Sequence, residues 1–300
     1  MNIAYRFRIY PTEEQKILLG KTFGCCRFLY NQMLDDKIRE YEKTKKMLKN
    51  TPAMYKREYP FLKEVDSLAL ANVQLHLEKA YKNFFRDPKI GFPRFKSKHH
   101  SKNSYTTNVV NGNILVESKK IRLPKLKWIA MKKHREPAEG LRLKSVTVSM
   151  EPSGKYFASL LYEGYSCENQ AAEPDYSTAK ILGIDYAMQG MAVFSEKIET
   201  EEAGFFRKNE KRLAREQRKL SRCVRGSHNY ELQKKKVARC HEKIRNQRRD
   251  HLHKLSRKIA DSYDAVAVED IDMKAMGQCL HFGKSVQDNG YGLFREMLEY

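Results

Sequence analysis

Two carboxylates stand at the ends of apolar runs. Ala179 to Tyr186 (AKILGIDY) reads as a strand that delivers Asp185 near its end, and Asp264 to Asp270 (DAVAVED) does the same with Glu269. Carboxylates are costly in an apolar setting unless they are paired or bind a cation. Two of them, each ending a buried strand of one sheet, suit divalent-metal phosphodiester chemistry. Such sites hold two Mg²⁺ ions about 3.5–4 Å apart, one activating the attacking water and one stabilising the leaving oxygen. A lone strand-end acid is more simply a solvated cap, and spacing alone leaves both readings open.

The second chemistry is cationic. Residues 205–260 carry 20 Lys/Arg against five Asp/Glu, a net +15 of the chain's +21. Leu213, Leu220, Val237, Ile244, Leu252, Leu255 and Ile259 give a thin apolar stripe, broken at Arg225-Gly226-Ser-His. This predicts two long helices in a hairpin, apolar on one seam and cationic elsewhere. Charged faces are often merely solvated, but an excess this dense points to phosphates nearby. The candidate contacts are Lys211, Arg212, Arg215, Lys219, Lys235, Arg239, Arg245 and Arg248. A separate stretch, Gly91-Phe-Pro-Arg-Phe-Lys-Ser-Lys98, interleaves rings with Arg94, Lys96 and Lys98. That texture suits base stacking with phosphate contact; it also suits a basic loop whose rings pin it to a core.

The elements that must hold these residues are legible around them. A pI near 9.6 makes nucleic acid the leading partner and an anionic membrane surface its rival. No apolar run approaches the ~18 residues of a membrane span and no signal peptide opens the chain, so a cytoplasmic protein is expected. The six cysteines contain no CxxC, and Cys25 and Cys26 are adjacent. Reduced thiols are expected, and His251 and His253 fall on different faces of a helix, so no zinc site is predicted.

Residues 2–10 alternate, with Ile3, Tyr5, Phe7 and Ile9 on one face, as a strand does. Pro11 ends it, and Thr12-Glu-Glu-Gln15 is a capping box opening a helix to about Glu40. A further helix spans Ser67 to Phe85, with Leu68, Ala71, Leu75 and Leu77 at roughly helical spacing. Residues 12–86 thus read as a helical insertion. Strand patterns run from 113 to 162, the clearest being a hairpin of Leu141, Leu143, Val146 and Val148, then Pro-Ser-Gly, then Tyr156, Ala158 and Leu160. With the N-terminal strand they are expected to form a small β-barrel from 1–11 and 87–165. Residues 166–178 read as a linker, and 179–300 as a mixed α/β domain.

These motifs together resemble the TnpB/OrfB family along all 300 residues. The matching text is Tyr10-Pro-Thr-Glu-Glu-Gln15, Gly24-Cys-Cys-Arg-Phe-Leu-Tyr-Asn31 and Phe92-Pro-Arg-Phe-Lys-Ser-Lys98, followed by Gly183-Ile-Asp-Tyr186, Lys211-Arg-Leu-Ala-Arg215, Gln247-Arg-Arg-Asp-His-Leu-His-Lys-Leu255 and Val268-Glu-Asp-Ile271. The resemblance implies a wedge-type barrel with a helical recognition insert, then a RuvC-like nuclease domain of RNase H fold. It implies a transposon-associated, RNA-guided DNA endonuclease, with a guide RNA from the transposon end and double-stranded target DNA as partners. Mg²⁺ or Mn²⁺ would be the cofactor, held by Asp185 and Glu269 at the positions of the family's first two RuvC acids. Family members then carry a CxxC…CxxC zinc ribbon and a third catalytic Asp, which this sequence lacks. Asp270, Asp272 and Asp288 do not match that third position. The expectation is therefore a chain cut within a helix and weak or inactive in cleavage. The alternatives are a non-catalytic RNA- or DNA-binding repressor or decoy, and a decayed fragment that does not fold.

Overall fold

Alternation in the first residues produces β1 (Asn2–Tyr10), with Phe7 and Ile9 fully buried. The computed structural model describes residues 2–164, 178–187, 191–198, 204–272 and 290–299. Most of the expected linker lies outside those residues, as do Gly190, Cys167, Cys279 and Asp288. The chain divides into two units, Met1–Cys167 and Glu168–Tyr300.

In the first unit, the capping box forms as expected. The Gln15 amide N–H donates to Thr12 Oγ1 and the Thr12 N–H donates back to Gln15 Oε1 at 3.0 Å, opening helix α1 (Glu13–Thr44). The same Gln15 donates through Nε2 to the carbonyls of Leu126 and Trp128, so one side chain fixes both the helix start and its seat on the strands. Helices α2 (Pro52–Glu58) and α3 (Ser67–Arg86) follow. The buried face of α3 is Ala69, Leu70, Val73, Leu77 and Tyr81. Leu75, expected in that stripe, is 52% exposed, because the face drifts by the 3.6-residue period and leaves it outside.

The strands are β2 (Asn103–Asn108), β3 (Leu115–Val116), β4 (Lys120–Leu123), β5 (Lys127–Lys132), β6 (Arg142–Met150) and β7 (Tyr156–Glu163). With β1 they make one seven-stranded sheet, ordered β2-β6-β7-β1-β5-β4-β3 and antiparallel at every pairing. The change from odd to even inward positions between Leu143 and Val146 is a β-bulge, with the register shifting between Leu143 and Ser145. One apolar cluster joins Leu29, Met33 and Leu70 of the helices to Phe7, Ile121, Val146 and Leu160 of the sheet. The helices therefore cover the sheet rather than forming a separate core.

The second unit has a three-stranded sheet ordered β10-β8-β9, from β8 (Ile181–Ala187), β9 (Met191–Phe194) and β10 (Ala265–Val268). Between β9 and β10 run α4 (Phe205–Ser221) and α5 (His228–Ala260), and α6 (Tyr291–Glu299) comes last. Gly226 takes φ +83° at the break between α4 and α5, and Ser227 caps α5 by accepting from the Tyr230 N–H. The apolar stripe of the sequence splits in two. Leu213 and Ile244 bury within the helical hairpin, while Leu252, Leu255 and Ile259 pack with Leu182, Ile184 and Phe294 under the sheet. β10 departs from the expected buried strand: Val268 is 39% exposed, and among the described residues β10 pairs with β8 alone.

Candidate functional site

β8 and β10 run parallel, and Val268 pairs with Ile184. The next residue on each strand is an acid, so Glu269 lies beside Asp185. Asp185, foremost through hydrogen bonding between the two acids and also through its charge, holds the Glu269 carboxyl above the ordinary glutamate range. Two carboxylates so close repel each other, and a proton or a cation between them relieves that repulsion. That is the condition a divalent cation relieves, so the pair fits the metal the sequence implies. The pair opens on a shallow cleft of about 450 Å³ whose floor includes Gly183, Val193, Ser195 and Ala267. Ser195 locks that floor: its Oγ accepts from the Gly183 N–H at 2.9 Å, and its own N–H donates to the Gly183 carbonyl at 2.9 Å.

No cluster of three metal-ligating side chains occurs among the described residues. Asp270 is committed elsewhere, accepting from Arg295 Nη1 at 2.8 Å. Cys25, Cys26, Cys223 and Cys240 are free thiols.

The cations sort into distinct surroundings. Arg212, Lys219 and Arg239 converge on a cleft of about 260 Å³ between α4 and α5, together with Lys236 and Lys243, which the sequence reading missed. The signal was the three- and four-residue spacing of Lys236, Arg239 and Lys243, which shares one helix face. Glu216 sits at the cleft's base, accepting from Gln233 Nε2 at 2.8 Å. That bond, ahead of the Lys219 and Arg215 cations, holds its carboxyl below the ordinary range. Lys211, Arg215, Lys235 and Arg245 are exposed on the hairpin. Arg248 is half-buried against the start of α6: a Cβ at Gly290 would come within 2.8 Å of its Cδ.

In the Gly91–Lys98 stretch the structure shows the contacts of a pinned basic loop. Lys96 pins it. The Lys96 N–H donates to Asn31 Oδ1 at 2.7 Å, Asn31 Nδ2 donates back to the Lys96 carbonyl, and the ammonium lies 3.9 Å above the Tyr30 ring. Phe92 packs edge-on against Tyr81 and Phe84. Arg94 and Lys98 are exposed, and Phe95 is 55% exposed.

Residues 164–279 match a family model described as "Probable transposase", of the OrfB type, and residues 1–46 match one described as "Helix-turn-helix domain". A protein of Streptomyces pristinaespiralis named "Putative RNA-guided DNA endonuclease" is 31% identical over 309 residues, spanning 99% of this chain and 74% of its own. The chain belongs to the TnpB/OrfB family. InsQ of Escherichia coli K12, which carries the same name, is another relative at 32% identity over 92% of this chain and 67% of its own. A solved chain titled "Cryo-EM structure of the Cas12f1-sgRNA-target DNA complex" aligns over 99% of this chain and 83% of its own at 12% identity, with a TM-score of 0.30, too loose to bear on either unit. In this TnpB/OrfB chain the region matched as helix-turn-helix is a strand and one 32-residue helix. No helix among its described residues is long and apolar enough to cross a membrane.

Proposed function

We propose that this chain is a transposon-associated, RNA-guided DNA endonuclease whose Asp185 and Glu269 hold Mg²⁺ or Mn²⁺ at the scissile phosphate. The observation that carries the reading is the parallel register that sets these two acids side by side on one cleft. The bound metal would supply water activation and stabilisation of the leaving oxygen. The chain's own residues bind and orient: Asp185 and Glu269 ligate, and the locked Gly183–Ser195 floor keeps their strand ends rigid. The cleft of Arg212, Lys219, Lys236, Arg239 and Lys243 meets phosphates of the bound strands, with Arg94 and Lys98 as a second, exposed set.

In this reading residues 1–11 and 87–165 are a wedge-type barrel and 12–86 a helical recognition insert. Residues 179–300 are a RuvC-like domain of RNase H fold. The partners are a guide RNA from the transposon end and double-stranded target DNA, recognised by backbone and shape as RNA-guided effectors generally do. The compartment is the cytoplasm. The test is calorimetric titration of Mn²⁺ into the protein–RNA complex, together with cleavage of matched DNA. A metal response that Asp185→Ala abolishes is expected. The same response, or undiminished cutting, in Asp185→Ala would overturn the reading.

A further inference from the structure

The first unit holds a cavity of about 330 Å³ between α1, α3 and β2. Its rim carries the cations Arg27, Lys96 and Lys102 beside His76, and its floor is apolar, with Phe23, Val73 and Tyr105. Ser101 and the β2 stretch Ser104–Thr106 line the remaining side. No carboxylate lines it. The acid that electrostatically reaches this wall is Asp66, felt by Cys26 and Tyr105, and its Oδ1 already accepts from the Leu68 N–H as the cap of α3.

Cations gathered in a cavity whose lining holds no carboxylate repel one another, and burial adds to the cost. Both effects are visible. Burial, against a small opposing contribution from Cys26, lowers the proton affinity of Lys96, and burial together with Lys96 and Lys79 lowers that of His76. The ring of Tyr30 gives Lys96 a partial substitute for an anion. An anion entering the cavity would offset the repulsion, and the apolar floor would accept a flat group attached to that anion. The volume is at the small end of ligand pockets, roughly 300–1,000 Å³.

We infer that this cavity is a mononucleotide site, taking one nucleotide of a bound nucleic-acid strand with its phosphate on Arg27, Lys96 and Lys102 and its base over Phe23 and Val73. The inference rests on the nucleic-acid reading above only for the source of that nucleotide.

The full chain is titrated with adenosine 5′-monophosphate, its deoxy counterpart, adenosine and inorganic phosphate, following heat by calorimetry. Both nucleotides are expected to bind more tightly than adenosine or phosphate alone, because both halves of the site are then used. A preference for the ribo form would identify the guide strand as the source and a preference for the deoxy form the DNA; either result supports the site. Lys102→Ala is expected to weaken nucleotide binding by about tenfold or more. Ser101→Trp fills the cavity without changing charge and should abolish binding, which diffuse electrostatic attraction would not do. Nucleotide binding unchanged in both variants, or absent in the wild type, overturns the site. Neither outcome touches the metal response of Asp185, so the nuclease reading stands or falls separately.

Discussion

Glu269 and Asp185 stand side by side where two parallel strands end, a contact fixed by the pairing of Val268 with Ile184. A one-residue slip of β10 would turn Glu269 to the other face of the sheet. The contact therefore reports the register of the unit as well as its chemistry.

That proximity sets a sign for pH. Glu269 is held above its ordinary value, near 4.3 in free peptides. A raised carboxyl contributes stability that is present below the unfolded pKa and is lost as pH rises through the folded one. Thermal melts of the metal-free protein are thus expected to fall in Tm as pH rises from the ordinary carboxylate range through the raised value. Asp185→Asn keeps a hydrogen-bonding partner but removes the like charge, and should flatten that fall. Mg²⁺ should raise Tm at neutral pH in the wild type and not in Asp185→Asn. Equal slopes in both proteins would mean that the pair is not coupled.

Leu77 and Leu75 separate what the sequence made legible from what it hid. Both fall on the apolar pattern of one helix, yet Leu77 is fully buried and Leu75 is 52% exposed. Periodicity finds the helix but not the angle at which it lands, which is set by what it packs against. Leu77→Ala is expected to cost about 2–5 kcal/mol and Leu75→Ala within ~0.5 kcal/mol, read by denaturant melts. Strand β2 escaped for the same kind of reason. Its sequence, NSYTTN, is polar on paper, while Tyr105 and Thr107 point inward only because β6 and the helices cover them. The acids were legible because each ends an apolar run, and the capping box because its three-residue spacing is local. The cleft between α4 and α5 was half legible: charge density marked the hairpin, but which cations converge depends on how the two helices are phased.

Arg239 and Arg248 are both cations of α5 with different surroundings. Arg239 lines the open cleft, while Arg248 packs against Gly290. In nucleic-acid binding measured across salt concentrations, Arg239→Gln should reduce the slope of log affinity against log salt by about 1, as loss of one phosphate contact does. Arg248→Gln should leave the slope unchanged and lower Tm instead. Gly290 takes φ +70°, so Gly290→Val adds backbone strain to the clash and should destabilise the same contact by about 1–3 kcal/mol. Equal slope changes from both arginine variants would show that Arg248 reaches phosphate despite its packing.

Tyr291 packs against the acid-bearing strand β8 through Tyr186. It is 2% exposed, stacked edge-on against Tyr186 at 5.2 Å, and its hydroxyl has no hydrogen-bond partner among the described residues. Burial, followed by the nearby charges of Glu269 and Asp185, raises the proton affinity of that hydroxyl, so it stays protonated at any physiological pH. A buried hydroxyl without a partner forfeits the bonds it made to water, at about 1–3 kcal/mol. Tyr291→Phe retains the ring contact with Tyr186 and deletes only the stranded oxygen. It is therefore expected to raise stability by about 1 kcal/mol, while Tyr291→Ala, which empties the ring's place in the core, should cost about 3–5 kcal/mol. The melts are best run without divalent metal, so that any change at the neighbouring acids does not enter. A loss of stability in Tyr291→Phe would mean that the hydroxyl is bonded in solution, and the side chain would then be a polar link between α6 and the acid-bearing strands rather than part of an apolar core.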